Sequence, residues 1–374
     1  MTISKDEYAG RLSRIRQAMA DKNLDALLVY SWKRGQVRYV SGYTPNYIAN
    51  VALVVIPRHE DPTMFIRFPF DLERAQAMCW FDDVRASGDV AAVGRDAASR
   101  LRELELDGGH VGLVSGDGVM DELPYTLYDQ LRGDLPEVAF SDARTLTMDL
   151  RLIKNPAEFN LLVQSARVAD AAVEAAGGAI APGVGEYALV SAAEATARAA
   201  GADGYLVAVA GRGTQELIGP PEDKQIEPGA VVIVEVAVQV DGYWTQVARA
   251  FVAGEPTAEQ RAIYGAVYRA YSSAVDAVSI EKPLGVVAEA AYAVLDAAGY
   301  ADYIEHDVGH GIGLDLPEPP SIQAGAELPI QEGLVLVLHP AVRVPGVGGA
   351  FIGGTVLVTQ DGPVAIHQIP ARLT

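Results

Sequence analysis

Cysteine is nearly absent from this chain of 374 residues: Cys79 stands alone. No internal disulfide can form, and a reducing compartment suits such a sequence. Beside Trp80, the thiol reads as a buried apolar residue. Long apolar runs are missing too, and the opening MTISKDEYAG has neither the basic nor the apolar region of a secretory signal. A cytoplasmic protein without a membrane partner is the expectation. Positive charge is scarce: 29 Lys and Arg face 49 Asp and Glu, for a net charge of −20. Such a surface repels phosphate backbones and anionic lipids, so nucleic acid is not an expected partner. Short-period repeats and low-complexity tracts are lacking as well.

Half of the residues are hydrophobic, ample for two cores, and the length calls for two domains. Ser4 and Glu7 form a capping-box pattern ahead of Tyr8, Leu12, Ile15 and Met19, which recur at helical spacing. The stretches LDALLVYS, VALVVIP and HVGLVSG read as short buried strands, so the first part is an α/β domain. RTLTMDLRLIKNPAEFNLL looks like the joint. After Pro156 the spacing of Leu162, Ala166, Ala169, Val173 and Ala176 predicts a helix ending at Gly177-Gly178. Further helices are expected in APGVGEYALVSAAEATARAAGADGY, from Ala258 to Ala277 and from Val286 to Ala298.

VVIVEVAVQVDGYWTQVARAFV reads as two strands around a two-residue Asp241-Gly242 turn. That register sets Val240 opposite Tyr243, Ala237 opposite Gln246 and Glu235 opposite Ala248. Glu235 and Gln246 then share a face as diagonal neighbours, close enough to act on one ligand. A glutamate amid so many valines is costly to bury unless something satisfies it, although a solvated sheet face explains Glu235 equally well. His339 breaks the apolar run LVLVLHP and raises the same question. Two of only six histidines, His306 and His310, lie four residues apart in EHDVGHGIGLDLPEPPSI. Glycines 309, 311 and 313 either let backbone approach a ligand or merely shape a turn.

LIKNPAEF, APGVGEYAL, DGYWTQVAR, GHGIGLDLPEPPSI, EGLVLVLHP and GVGGAFIGGTVLVTQDG occur in that order. Together they resemble the pita-bread fold of the creatinase/aminopeptidase P/methionine aminopeptidase family over Leu152 to Gly362. VRYVSGY stands where the amino-terminal domain of two-domain members would have it. The resemblance implies an α/β (α+β) chain of two domains: a creatinase/prolidase-like α/β domain at 1–145, and a pita-bread domain with a curved antiparallel sheet at 152–374. Metal-dependent members hold two divalent ions with two aspartates, a histidine and two glutamates. Aligned here, those positions are Glu235, Gln246, His310, His339 and Gly353. An amide and a glycine do not replace carboxylates for hard dications, so the usual dinuclear site and any other cofactor are not expected. The positions that serve creatinase itself are changed too, at Ile218, Ala248, His339, Ile48 and Asn50, which makes creatine a poor substrate.

The resemblance therefore points to a metal-independent, creatinase-like hydrolase of a C–N bond, or related acid/base chemistry, on a small polar metabolite. Glu235, His310 and His339 are the catalytic candidates, with a histidine as base and Glu235 orienting it. Gln246, Arg249, His306, Tyr243 and Glu318 are substrate-binding candidates, Arg249 being equally readable as a structural ion pair. Family members often complete the pocket with a second subunit, so a homodimer is implied, with Tyr47, Asn50 and Arg67 as further contacts. Two alternatives stay open: a non-catalytic binding module, and a rebuilt single-metal site of Glu235, His310 and His339. His59, His110 and His367 read as loop or terminal positions where substitution should do little.

Overall fold

A computed structural model of the chain describes residues 3–31, 35–45, 48–49, 51–114, 123–210 and 218–373. Tyr47 and Asn50 lie outside the described residues. The chain divides between Arg151 and Leu152 into two compact units.

In the first unit, Ser4 caps the helix Lys5–Asp21 by accepting from the Glu7 backbone N–H. The Glu7 carboxylate turns instead to Arg11 and Arg14. The strands read from sequence form Ala26–Ser31, Ala52–Pro57 and His110–Val114, in a six-stranded mixed sheet. Ala26–Ser31 pairs antiparallel with Ala52–Pro57 and parallel with His110–Val114. Arg67 belongs to this unit, with its guanidinium 4.4 Å from the Phe68 ring centroid and Nε buried without a partner.

The second unit begins with a reciprocal capping box. Asn155 accepts from the Glu158 N–H, and Glu158 accepts from the Asn155 N–H, ahead of Pro156 at the first helical position. That helix, Pro156–Gly178, buries Leu162, Ala166, Ala169, Val173 and Ala176. Together with Glu186–Ala199 it packs on one face of an eight-stranded curved sheet. The opposite face is covered by the helices Ala258–Ala277 and Gly285–Ala297.

The sheet runs in the order Glu318–Ile322, Gly309–Gly311, Val335–Leu338, Gly353–Thr359, Tyr243–Val252, Val231–Val240, Gly204–Ala210, with Gly362–Ala365 paired to Gly353–Thr359. Its neighbours in the order are antiparallel throughout. Asp241 and Gly242 both have positive φ, 47° and 83°, the backbone that a tight primed turn requires. The hairpin register is the expected one: Val240 opposite Tyr243, Ala237 opposite Gln246, Glu235 opposite Ala248. Strands far apart in sequence, Gly204–Ala210 with the hairpin Val231–Val252 and Gly309–Gly311, thereby join one sheet. Among the described residues no helix is long and apolar enough to cross a membrane.

Candidate active site

A cavity of ≈ 230 Å³ opens in the second unit, lined by Leu206, Ala208, Glu235, Ala237, Gln246, His310, Leu316 and Pro317. Strand pairing explains the first five. Leu206 faces Ala237, which faces Gln246, and Ala208 faces Glu235 on the adjacent strand. All five side chains therefore leave the sheet on one side. His310 arrives from the short strand Gly309–Gly311, and Leu316-Pro317 from the loop after it.

Glu235 is buried, and its carboxylate accepts from Gln246 Nε2. With that amide as its one named partner, burial pushes the Glu235 carboxyl up to about 7, against an ordinary glutamate value of roughly 4.3. A carboxylate can only accept, so Gln246 turns its NH₂ to it and its oxygen away. That oxygen, Oε1, is buried with no partner.

The ring of His310 donates from Nδ1 to the Gly311 carbonyl at 2.8 Å. A carbonyl cannot donate, so in the neutral ring Nε2 is left as the acceptor. Burial also lowers the His310 pKa below its ordinary value, which keeps the ring neutral at physiological pH.

His339 is not among the residues that line the cavity. Its ring meets those of His310, His306 and Phe351 edge to face, each with centroids 5.2 Å away. Burial first, then the neighbouring His310 and His306, hold His339 well below the usual histidine range. Its Nδ1 is buried without a partner, as is His306 Nε2. His306 Nδ1 bonds the Asp307 carbonyl at 2.7 Å. Neither ring lines the cavity, and His339 reaches it only through its contact with the His310 ring. The expected pairing of Glu235 with a histidine is corrected: its named partner is Gln246.

Three substrate-binding candidates have other occupations. Tyr243 is on the opposite face of the hairpin, and its hydroxyl donates to Glu158 at 2.9 Å. Arg249 is also on that face, where it donates to the carbonyls of Ala248, Gly353 and Ile369. It binds backbone, not a substrate anion, and the direct carboxylate pair suggested for it is replaced by carbonyls. Glu318 is buried in an ion pair with Lys154, Nζ to Oε2 2.9 Å, and its other oxygen accepts from the Asp315 N–H. The glycines of GHGIG serve packing: a Cβ at Gly309 would stand 1.9 Å from the Val337 carbonyl oxygen, and one at Gly311 2.1 Å from that of Pro319.

Nor is His367 the bland terminal residue that its position suggests. Its Nδ1 bonds Asp170 at 2.8 Å, its ring is almost fully buried, and Asp170 also accepts from the Gln368 N–H. The carboxylate ties the last segment of the chain to the helix Pro156–Gly178. His367→Ala should cost about 2 kcal/mol of stability, because it opens a cavity and removes a buried partner of Asp170. Urea denaturation checks this, and a change below about 0.5 kcal/mol would contradict it.

The carboxylate cage of the two-metal members does not fit these residues. Gln246 presents an amide bonded to Glu235, and His339 stacks against other rings. A Cβ at Gly353 would lie 2.3 Å from the Leu338 carbonyl oxygen and 2.5 Å from His339 Cβ. Gly353 therefore leaves no room for a side chain at that position. Among the described residues no three His, Cys, Asp or Glu side chains are grouped so as to hold a metal ion.

Sequence reasoning missed the apolar walls of the cavity. Leu206 and Ala208 belong to a strand it did not single out, and Leu316 and Pro317 were seen only as part of a motif. Lys154 carried a signal, a lysine in LIKNPAEF just before a helix cap, but its partner is 164 positions away in sequence.

Comparison with known proteins agrees with this architecture. Residues 160–360 match the model of metallopeptidase family M24, and residues 11–153 that of the creatinase/prolidase N-terminal domain. The chain is 29% identical over 259 residues to a Xaa-Pro dipeptidase of Pyrococcus furiosus, covering 68% of this chain and 74% of that one. It is 27% identical over 362 residues to a Xaa-Pro dipeptidase of Lactobacillus helveticus, covering 94% of this chain and 95% of that one. The fold also superimposes on the crystal structure of the prolidase from Pyrococcus horikoshii, with a TM-score of 0.85 at 24% identity over 98% of this chain and 100% of that one. Capped helix, hairpin, GHGIG strand and the family match over 160–360 agree: this chain belongs to metallopeptidase family M24.

Proposed function

We propose that this protein is a hydrolase of a C–N bond in a small molecule that works by acid/base chemistry of its own side chains rather than through a dinuclear metal centre. Hydrolysis of a C–N bond is the chemistry implied by the names of the Xaa-Pro dipeptidases it is similar to. The observation that supports the metal-independent part is that a buried carboxyl held by Gln246 and a histidine whose Nδ1–H is taken by a backbone carbonyl line one small cavity.

His310 Nε2 takes a proton from water as its oxygen attacks the substrate carbon, and returns that proton to the departing nitrogen. Glu235, fixed by Gln246, exchanges its proton near pH 7 and stabilises positive charge on the substrate nitrogen. Such a group titrates where a general acid or base is most effective. Leu206, Ala208, Ala237, Leu316 and Pro317 keep the cavity apolar around the two groups, which strengthens charge interactions within it. His339 packs edge to face against the His310 ring.

The test begins with elemental analysis of protein dialysed against chelator. Less than a tenth of an equivalent of zinc, manganese, cobalt or iron per chain is expected, with turnover of an amide, amidine and dipeptide panel unchanged by the chelator. Glu235→Gln and His310→Ala should each lower kcat by 10² or more. The wild-type rate should rise with pH through about 7 as Glu235 ionises, and Glu235→Gln should lose that dependence. Activity that appears only when a divalent ion is returned would overturn the reading.

A further inference from the structure

The loop 313–318 carries Leu316 and Pro317 to the cavity wall, yet its backbone has few means of holding itself in place. Pro317 has no N–H to donate, nor have Pro319 and Pro320 just beyond it. Its named anchors are a neighbouring strand and side chains. The Trp244 N–H donates to the Gly313 carbonyl at 2.7 Å, and the Asp315 N–H donates to Glu318 Oε1 at 3.0 Å. The other Glu318 oxygen takes Lys154 Nζ at 2.9 Å, with both side chains almost fully buried. Gly313 is fitted to that pair: a Cβ there would lie 2.7 Å from Lys154 Cε and 2.9 Å from Glu318 Oε2. Glu318 also stands opposite Gly311, whose carbonyl accepts from His310.

Lys154 is itself firmly held. Its N–H donates to the Gly333 carbonyl at 2.8 Å, and the next residue, Asn155, opens the capping box of the helix Pro156–Gly178. From the first turn of that helix Glu158 accepts from the Tyr243 hydroxyl at 2.9 Å, and Tyr243 begins the strand that carries Gln246. One helix terminus therefore holds both the hairpin and the loop. A buried ion pair is a poor source of stability, because desolvation of two charges offsets their attraction and apolar side chains of similar volume often do as well. What apolar side chains lack is direction. Glu318 directs one oxygen to Lys154 and the other to Asp315.

From this arrangement we infer that Lys154 is a positioning residue of the active site: through Glu318 it sets the loop 313–318, and with it the Leu316-Pro317 wall, against the strands that carry Glu235, Gln246 and His310. The inference rests on the acid/base site proposed above and adds to it two residues that do not line the cavity. The pair acts on geometry alone. A wall displaced by about 1 Å takes the substrate out of line with the reacting groups, which costs on the order of 10²-fold in rate.

Lys154→Met alone strands the Glu318 charge in the interior and should unfold far more readily, so the double variant Lys154→Met/Glu318→Met carries the test. Its urea midpoint should return close to that of the wild type, because two apolar side chains fill the space without a stranded charge. Turnover should not return with it. On the best substrate of the amide, amidine and dipeptide panel, kcat/KM should stay roughly tenfold or more below the wild type. A role confined to stability predicts full turnover in the stable double variant, and that result would overturn the inference. So would a double variant as unstable as Lys154→Met, which would make the pair a support of the fold itself. A second readout needs no substrate. In hydrogen exchange on the whole protein, the Trp244 amide, whose acceptor is Gly313 in the loop, should exchange roughly tenfold or more faster in the double variant. The amides of Val231–Val240 should keep their wild-type rates. Unchanged exchange at Trp244, or a rise shared equally by Val231–Val240, would overturn the inference whether or not any panel member is turned over. Full turnover by Glu235→Gln and His310→Ala would instead defeat the acid/base reading and leave the exchange result standing, so the two failures are separable.

Discussion

Glu235→Gln should make the protein more stable at pH 8 by about 2–3 kcal/mol and leave it nearly unchanged at pH 4.5. The sign follows from proton binding. In the folded chain burial raises this carboxyl to about 7, while in the unfolded chain it titrates at roughly 4.3. Between those values the folded state holds a proton that the unfolded state has released. The stabilisation this brings is fully present below the unfolded value and is lost as pH rises through the folded one. Above pH 7 the ionised carboxylate is buried against an amide alone among its named partners, and the native state carries a cost near ~3 kcal/mol. Glutamine cannot ionise and has nearly the same shape, so the cost disappears. Urea denaturation at the two pH values measures it, and an equal effect at both would contradict it. A stabilising substitution that lowers turnover is what a strained catalytic carboxyl predicts, because natural sites give up stability to keep such a group.

Gly353→Ala should cost about 3 kcal/mol or more, at the high end for overpacking. The added Cβ would meet Leu338 O at 2.3 Å, His339 Cβ at 2.5 Å and His339 Cα at 2.6 Å. These atoms belong to backbone or sit next to it, so they cannot swing aside as a long side chain would. Gly353 is also pinned where it stands. It faces Ala248 across the strands, and its carbonyl accepts from Arg249 Nη1 at 2.7 Å. Gly353→Glu, the change meant to restore a fifth metal ligand, should therefore fail to create metal binding and destabilise at least as much. Gly178→Ala is the control: it ends a helix, its Cβ would meet nothing within 4 Å, and it should be neutral or slightly stabilising. Urea midpoints for the three variants decide it, and a Gly353→Ala protein as stable as the wild type would mean that the sheet gives way there.

Among the helices and strands, those with local signals were legible in sequence. The helix after Pro156, the helix Ala258–Ala277 and the strands around Asp241-Gly242 all arise from interactions within a few residues. The alternation of side chains in the hairpin was enough to set Glu235 beside Gln246, because strand register follows from turn length and a period of two. The family, too, could be read from motifs in order.

What lies beside those residues in space could not be read in the same way. Chain distance says nothing of Lys154 meeting Glu318 or of His367 meeting Asp170, pairs that exist because the curved sheet and its helices bring remote segments together. For the same reason sequence could not separate His310, on the cavity, from His339, packed one ring away, since both interrupt apolar strands in the same manner. Arg249 and Tyr243 looked available for a substrate until the two faces of the hairpin were distinguished by what packs on each. Gly353 looked like a vacancy left by a lost ligand, yet backbone fills the space where its side chain would be. Sequence alone determined which residue types were present and, in the hairpin, which of them share a face. Tertiary structure decided which polar atoms were left without a partner, because hydrogen bonds and burial depend on neighbours contributed by the whole chain.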